Sequence, residues 1–154
     1  MKLENFDVSS SIELQSGNLF WDLHNIANFD GLELIPSENA AVMRWSVPTP
    51  TTNPWGYYEN KFAGMELYFK KLIFLQIGPR DDELPMSEDR CVSTILKVDP
   101  NVQQDDPQMR QLLEPSDSFR LLFQFQSARM FEIDSDSVEL VPLTEINGRL
   151  KRAQ

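Results

Sequence analysis

The chain predicts an all-β fold, an antiparallel β-sandwich or open barrel carrying one short helix. Three observations predict it. Apolar and polar residues alternate at period two in successive segments, the mark of strands with one buried face. Clusters of proline, glycine and acidic residues separate those segments. Only one stretch combines helical spacing with a helix-start signal.

Taken in order, residues 1–18 are polar and hold no sustained period. They read as a loosely ordered N-terminal arm, with at most a short edge strand at "SIEL". Order begins at "NLFWDLHN", and a single β-rich domain is expected over residues 19–143. Leu32 to Ile35 and Ala40 to Val47 read as two strands joined by a tight polar turn, Pro36 to Asn39. In the second, Ala41, Met43, Trp45 and Val47 share one face, and Val42, Arg44 and Ser46 share the other. "PTPTTNPWGYYENKFAG" holds too much proline and glycine for a regular element and reads as a long loop. "MELYFK" and "KLIFLQIG" follow with no turn signal between them, which suits one long strand with a bulge. Ile73, Leu75 and Ile77 on one face, with Leu72 and Phe74 on the other, predict cover on both sides.

"PRDDELPMSEDR" is an acidic loop. "CVSTILKV" is a strand with Val92, Leu96 and Val98 in phase. Asp106 as N-cap and Pro107 at the first helical position open the one helix. Met109, Leu112 and Leu113 follow at helical spacing, and the helix ends before Pro115. The segment "FRLLFQFQSARMFEIDSDSVELV" reads as a hairpin turning at Ser127–Ala128 and broken again at "SDS". Phe119, Leu121, Phe123 and Phe125 face the core, because an exposed row of phenylalanines would invite association. The tail, residues 144–154, is basic and aperiodic and reads as frayed.

A chain of 154 residues fits one domain. It can bury roughly two-thirds of its unfolded surface, so it needs no disulfide or metal to fold. Cys91 is the single cysteine, which rules out an internal bridge. No stretch approaches the ~20 apolar residues of a membrane span. The N-terminal residues lack the apolar run of a secretion signal, so a cytoplasmic location is expected. With 24 acids against 14 bases the net charge is −10. That field repels a phosphate backbone and steers a basic protein, so nucleic acid is excluded as a partner.

Motifs for chemistry are sparse. His24 is the lone histidine, with Asp22 or Asp30 as the only nearby groups to orient it. No nucleophile motif accompanies it, and Cys91 on a strand reads as a small apolar side chain. One cysteine and one histidine do not make a four-ligand zinc site. No catalytic residue, metal or cofactor is assigned. The carboxylates Asp81–Asp82–Glu83, Glu88–Asp89, Asp105–Asp106, Asp134 and Asp136 read as solvated loop acids. Two of them meeting in a cleft would instead make a small-molecule-binding or hydrolytic β-sandwich. Trp55, Tyr57, Tyr58 and Phe62 crowd one loop, and Trp and Tyr are enriched at binding hot spots. They either anchor a partner or fold back over one end of the sandwich. The partner-binding residues are therefore taken as Trp55, Tyr57 and Tyr58 together with Asp81, Asp82 and Glu83.

The order "LHNIANFDGLELIP", then an alternating strand, then "MELYFKKLIFLQI", then "FRLLFQFQSARMFEIDSDSVELV" resembles the immunity protein 50 family of bacterial toxin-immunity systems. The likeness runs over residues 20–141. This chain has Leu23 and Asn25 around His24, where that family has an aromatic and an acid. The resemblance implies a non-enzymatic β-rich protein that binds and blocks a cognate toxin. A basic toxin domain would suit the acidic charge.

Overall fold

In the computed structural model, residues 1–47, 62–114 and 116–153 are described. The fold is all-β, a curled antiparallel sheet forming a half-barrel with a second small sheet beside it. Four short strands come first: β1 (Lys2–Leu3), β2 (Asp7–Ser10), β3 (Glu13–Ser16) and β4 (Leu19–Asp22). They are followed by β5 (Asn28–Ile35), β6 (Ala40–Ser46), β7 (Gly64–Ile77) and β8 (Val92–Val98). Last come β9 (Arg120–Phe125), β10 (Met130–Ile146) and β11 (Arg149–Arg152). The large sheet runs β5-β6-β7-β10-β9-β8, with β1 and β11 also paired to β10; β2-β3-β4 make the small sheet.

The spine is the β7–β10 ribbon. Register shifts where Asp134 and Ser135 meet Phe74 and Leu72, leaving Ile73 as the extra residue. Lys71 beside it has φ +52°. A bulge of this kind bends a strand and raises its twist, so both long strands turn a corner here. The far end of the ribbon curls back over β5. Phe29 on β5 lies 4.8 Å from Phe125 and 5.5 Å from Phe131, ring centre to ring centre. The expected break at "SDS" is thus this corner, and β10 continues through it.

The concave side of the sheet holds the core. Trp45, Phe69, Phe123, Phe125, Leu121 and Ile133 are each buried to 1% exposure or less. Phe119, Leu121, Phe123 and Phe125 all point inward, as their alternation predicts. The small sheet closes the open side with Leu14, Trp21 and Leu23. It is stitched to β8 by Ile95 N–H to the Ser11 carbonyl at 2.6 Å and Val92 N–H to the Leu23 carbonyl at 3.3 Å.

Several expectations need correction. The N-terminal segment carries β1, β2 and β3, and Phe6 and Leu14 anchor it in the core. Strands of two to four residues show too little alternation to be read as a period. The tail carries β11, which pairs with β10 through an Asn147–Gly148 turn at φ +55° and +72°. So the expected boundaries at 18 and 143 do not mark where the sheets begin and end. The expected helix is a single 3-10 turn, Pro107–Arg110. Asp106 does cap it, accepting from Gln108 N–H at 2.9 Å, but Met109 and Leu113 stay exposed. With no apolar stripe to bury, the turn does not propagate. In β8 the register shifts between Val92 and Thr94. That bulge puts Val92 with Ile95 on the inner face, and leaves Leu96 and Val98 on the outer one.

Candidate functional site

Two neighbouring surfaces concentrate polar groups at the Ile77 end of β7. The first is the outer face of the sheet. Here Gln76, Glu132, Leu122 and Leu96 line up across β7, β10, β9 and β8. Residues 103–110 lie over this row. Between them runs a groove of about 490 Å³, lined by Gln76, Gln103, Gln104, Asp105, Arg110 and Glu132 over an apolar floor of Leu122 and Met130. That volume falls in the usual range for ligand clefts.

Its buried carboxylate is already engaged. Glu132 accepts from Arg110 at 2.8 and 2.7 Å and from Arg120 at 3.0 Å, with its side chain only 8% exposed. Burial alone would raise the Glu132 pKa. The hydrogen bonds and charges of Arg110 and Arg120 outweigh it and hold the carboxyl below its ordinary range. Arg120 in turn stacks on Phe74, 3.8 Å from its ring centre. A second triad repeats the design around a buried glutamate, with half-exposed arginines. Glu66 takes Arg44 at 2.9 and 2.5 Å and Arg152 at 3.0 Å. Both glutamates alternate correctly with apolar neighbours and so read as solvent-facing. Only the cross-strand register and the return of β11 show that arginines cover them.

The second surface is the acidic loop after β7. Asp81 N–H donates to the Ser127 carbonyl at 2.8 Å, pinning the loop to the β9–β10 turn. Asp81 also closes a local turn, accepting from Glu83 N–H at 3.0 Å. Asp81, Asp82 and Glu83 are all exposed. Behind them Arg80 reaches Asp89 at 3.1 Å and Arg129 reaches the same carboxylate at 3.6 Å. Burial would raise the Asp89 pKa, and its neighbours, these two arginines among them, hold it below the ordinary value. The structure therefore leaves Asp81, Asp82 and Glu83 exposed at the loop tip, where Asp82 reaches Arg80 at 3.5 Å, and holds Asp89 between two arginines at its base.

Trp55, Tyr57 and Tyr58 lie outside the described residues. Phe62 is described and stacks on Trp21 at 6.2 Å. The stems of that loop, Val47 and Ala63, are bonded to each other at 2.8 Å beside Leu143. They sit at the Gly64 end of β7, whereas Asp81, Asp82 and Glu83 follow its Ile77 end.

His24 and Cys91 are brought together by the fold, though 67 residues apart. His24 Nδ1 lies 2.8 Å from the Val92 carbonyl, which can only accept, so Nδ1 carries the proton. Cys91 Sγ, 3.5 Å from that nitrogen, cannot donate to it and instead points at the His24 carbonyl, 3.2 Å away. Burial, then the charges of Glu88 and Asp22, push the thiol pKa up. This is the opposite of an activated cysteine. Neither expected orienting acid serves the imidazole. Asp22 accepts from the His24 and Asn25 N–H groups at 2.9 and 2.8 Å, and Asp30 takes Ser46 at 2.9 Å and Arg90 at 3.3 Å.

Among the described residues, no group of three or more His, Cys, Asp or Glu is placed to hold a metal ion, and no helix is long and apolar enough to cross a membrane. Set against family models, curated proteins and solved structures, the chain matches none of them.

Proposed function

We propose that this chain is a non-enzymatic protein-binding domain whose acidic loop receives a basic partner, in the manner of an immunity protein neutralising a toxin. One observation carries the reading. Asp81, Asp82 and Glu83 are presented to solvent on a loop held against the β9–β10 turn, with the Asp82 side chain 94% exposed. The groups best suited to chemistry are engaged internally: Glu66 and Glu132 by arginines, His24 by a carbonyl. Exposed like charges on an ordered loop raise the encounter rate with an oppositely charged partner and sharpen partner choice.

The test is affinity purification of the tagged full-length chain from its source cells, beside the triple variant Asp81→Lys, Asp82→Lys, Glu83→Lys. A basic protein retained by the native chain and lost from the variant is expected. Recovery of the same proteins by both chains overturns the proposal.

A further inference from the structure

Sheet edges expose unpaired N–H and C=O groups, and proteins ordinarily cover or charge them. Most edges here are treated in that way. The β8 edge is bonded by Ser11, Leu23 and Leu112. The second edge of β10 is taken in turn by β9, β1 and β11. The β5 edge carries Asp30 and Glu33 and is bulged at Asp30. Among the described residues, strands β2, β4 and β11 also pair on one side only, and each carries a charged residue; the far half of β7 pairs on one side and carries none. Its pairing with β6 runs only from Gly64 to Phe69, and the last bond on that side is Leu72 N–H to the Asn39 carbonyl at 2.7 Å. Beyond it, Phe74 to Ile77 pair with β10 on one side and present the other side open, with Ile73 as the unpaired residue of the bulge.

The register says which groups are open. Gly78 N–H donates to the Met130 carbonyl at 2.8 Å. In antiparallel pairing such bonded positions recur every second residue. Gln76 and Phe74 therefore face β10, and Leu75 and Ile77 turn their N–H and C=O outward. No charged residue lies between Leu72 and Pro79. Ile73 and Ile77 leave 69% and 47% of their surface exposed. The strand then runs directly into the exposed acids Asp81, Asp82 and Glu83, and Glu33 and Glu38 stand exposed on β5 and the turn after it.

We infer that the open edge of β7, Ile73 to Ile77, is a strand-addition site for an extended, basic, alternating segment of another protein. This rests on the protein-binding reading and names how the partner is held. Main-chain bonds to Leu75 and Ile77 supply the pairing, Ile73 and Ile77 take apolar side chains, and the neighbouring carboxylates take lysines or arginines. The net charge of −10 sets this partner above a second copy of the chain, which the same field repels.

The probe is a capped synthetic decapeptide alternating lysine and valine. Its controls are the glutamate–valine peptide and a lysine–valine peptide N-methylated at alternate residues. Amide hydrogen exchange on the full-length chain is the readout. The lysine–valine peptide should slow exchange at Leu75 and Ile77 by about tenfold or more, with Gln76 and Phe74, already bonded to β10, unchanged. The two controls should protect nothing. Ile77→Pro removes one outward donor without touching a β10 bond and should abolish the protection, and Ile77→Lys should weaken it. No protection, equal protection by the glutamate peptide, or protection already present through self-association overturns the inference. Loss of the cellular partner by the triple acidic variant but not by Ile77→Pro would remove the strand-addition site while leaving the protein-binding reading intact.

Discussion

Gly64 opens β7 opposite Ser46 of β6. A Cβ added there would lie 2.3 Å from the Trp45 carbonyl oxygen, a backbone atom with no freedom to swing aside. Gly64→Ala should cost about 1–3 kcal/mol, the range for overpacked interiors, read as a lower urea midpoint. Nothing in "KFAGMELYFK" flags that demand, because the clash is with a residue on another strand. The two buried glutamates carry the same lesson. Removing one partner of a buried ion pair typically costs ~3–5 kcal/mol, since the other charge is left in a poorly solvated place. Glu132→Ala strands Arg110 and leaves Arg120 only Asp134 at 3.9 Å, and should fall in that range by equilibrium denaturation. Phe123 and Phe125, by contrast, were legible as core from their alternation alone.

At the level of elements, the strands read from period two are present, and their irregularities are where the reading slipped. Bulges at Asp30, Ile73 and Ser93 each shift the alternation by one. A shift of one exchanges the faces of everything beyond it. That is why Val92 and Leu96 do not share a face, and why Ile73, the extra residue of its bulge, is exposed. The β10–β11 hairpin had a clear local signal that composition hid. Asn-Gly is the favoured pair for a two-residue hairpin turn, because both positions need positive φ. Gly148→Val, at φ +72°, should cost about 1–3 kcal/mol in backbone strain. Faster amide exchange in Arg149 to Arg152 would report it, and the Arg152–Glu66 bond should be weakened with it.

The whole molecule couples its stability to acid pH through these pairs. Glu132 and Asp89 have folded-state pKa values below their ordinary 4.5 and 3.8. A carboxyl so depressed contributes stability that is complete above its unfolded value and is lost as pH falls through the folded one. The urea midpoint should therefore hold steady from pH 8 to about 5 and then drop, with a shallower drop in Glu132→Gln. A midpoint that rises on acidification would contradict the ion-pair account. At this scale the acidic charge and the aromatic core do separate things: one sets the sign of the surface field, the other holds the half-barrel closed through Phe29, Phe125 and Phe131.

What the amino-acid order determined by itself was local. Period two set strands, proline and glycine set their ends, and the excess of acids set the sign of the surface field, because each depends only on neighbours in the chain or on a sum over it. Tertiary structure alone decided which acids are buried against arginines, where β7 bends, that His24 meets Cys91, and that one half of β7 keeps an open edge. Those outcomes depend on register between strands distant in sequence, where one inserted residue redirects a side chain and no local pattern records the partner.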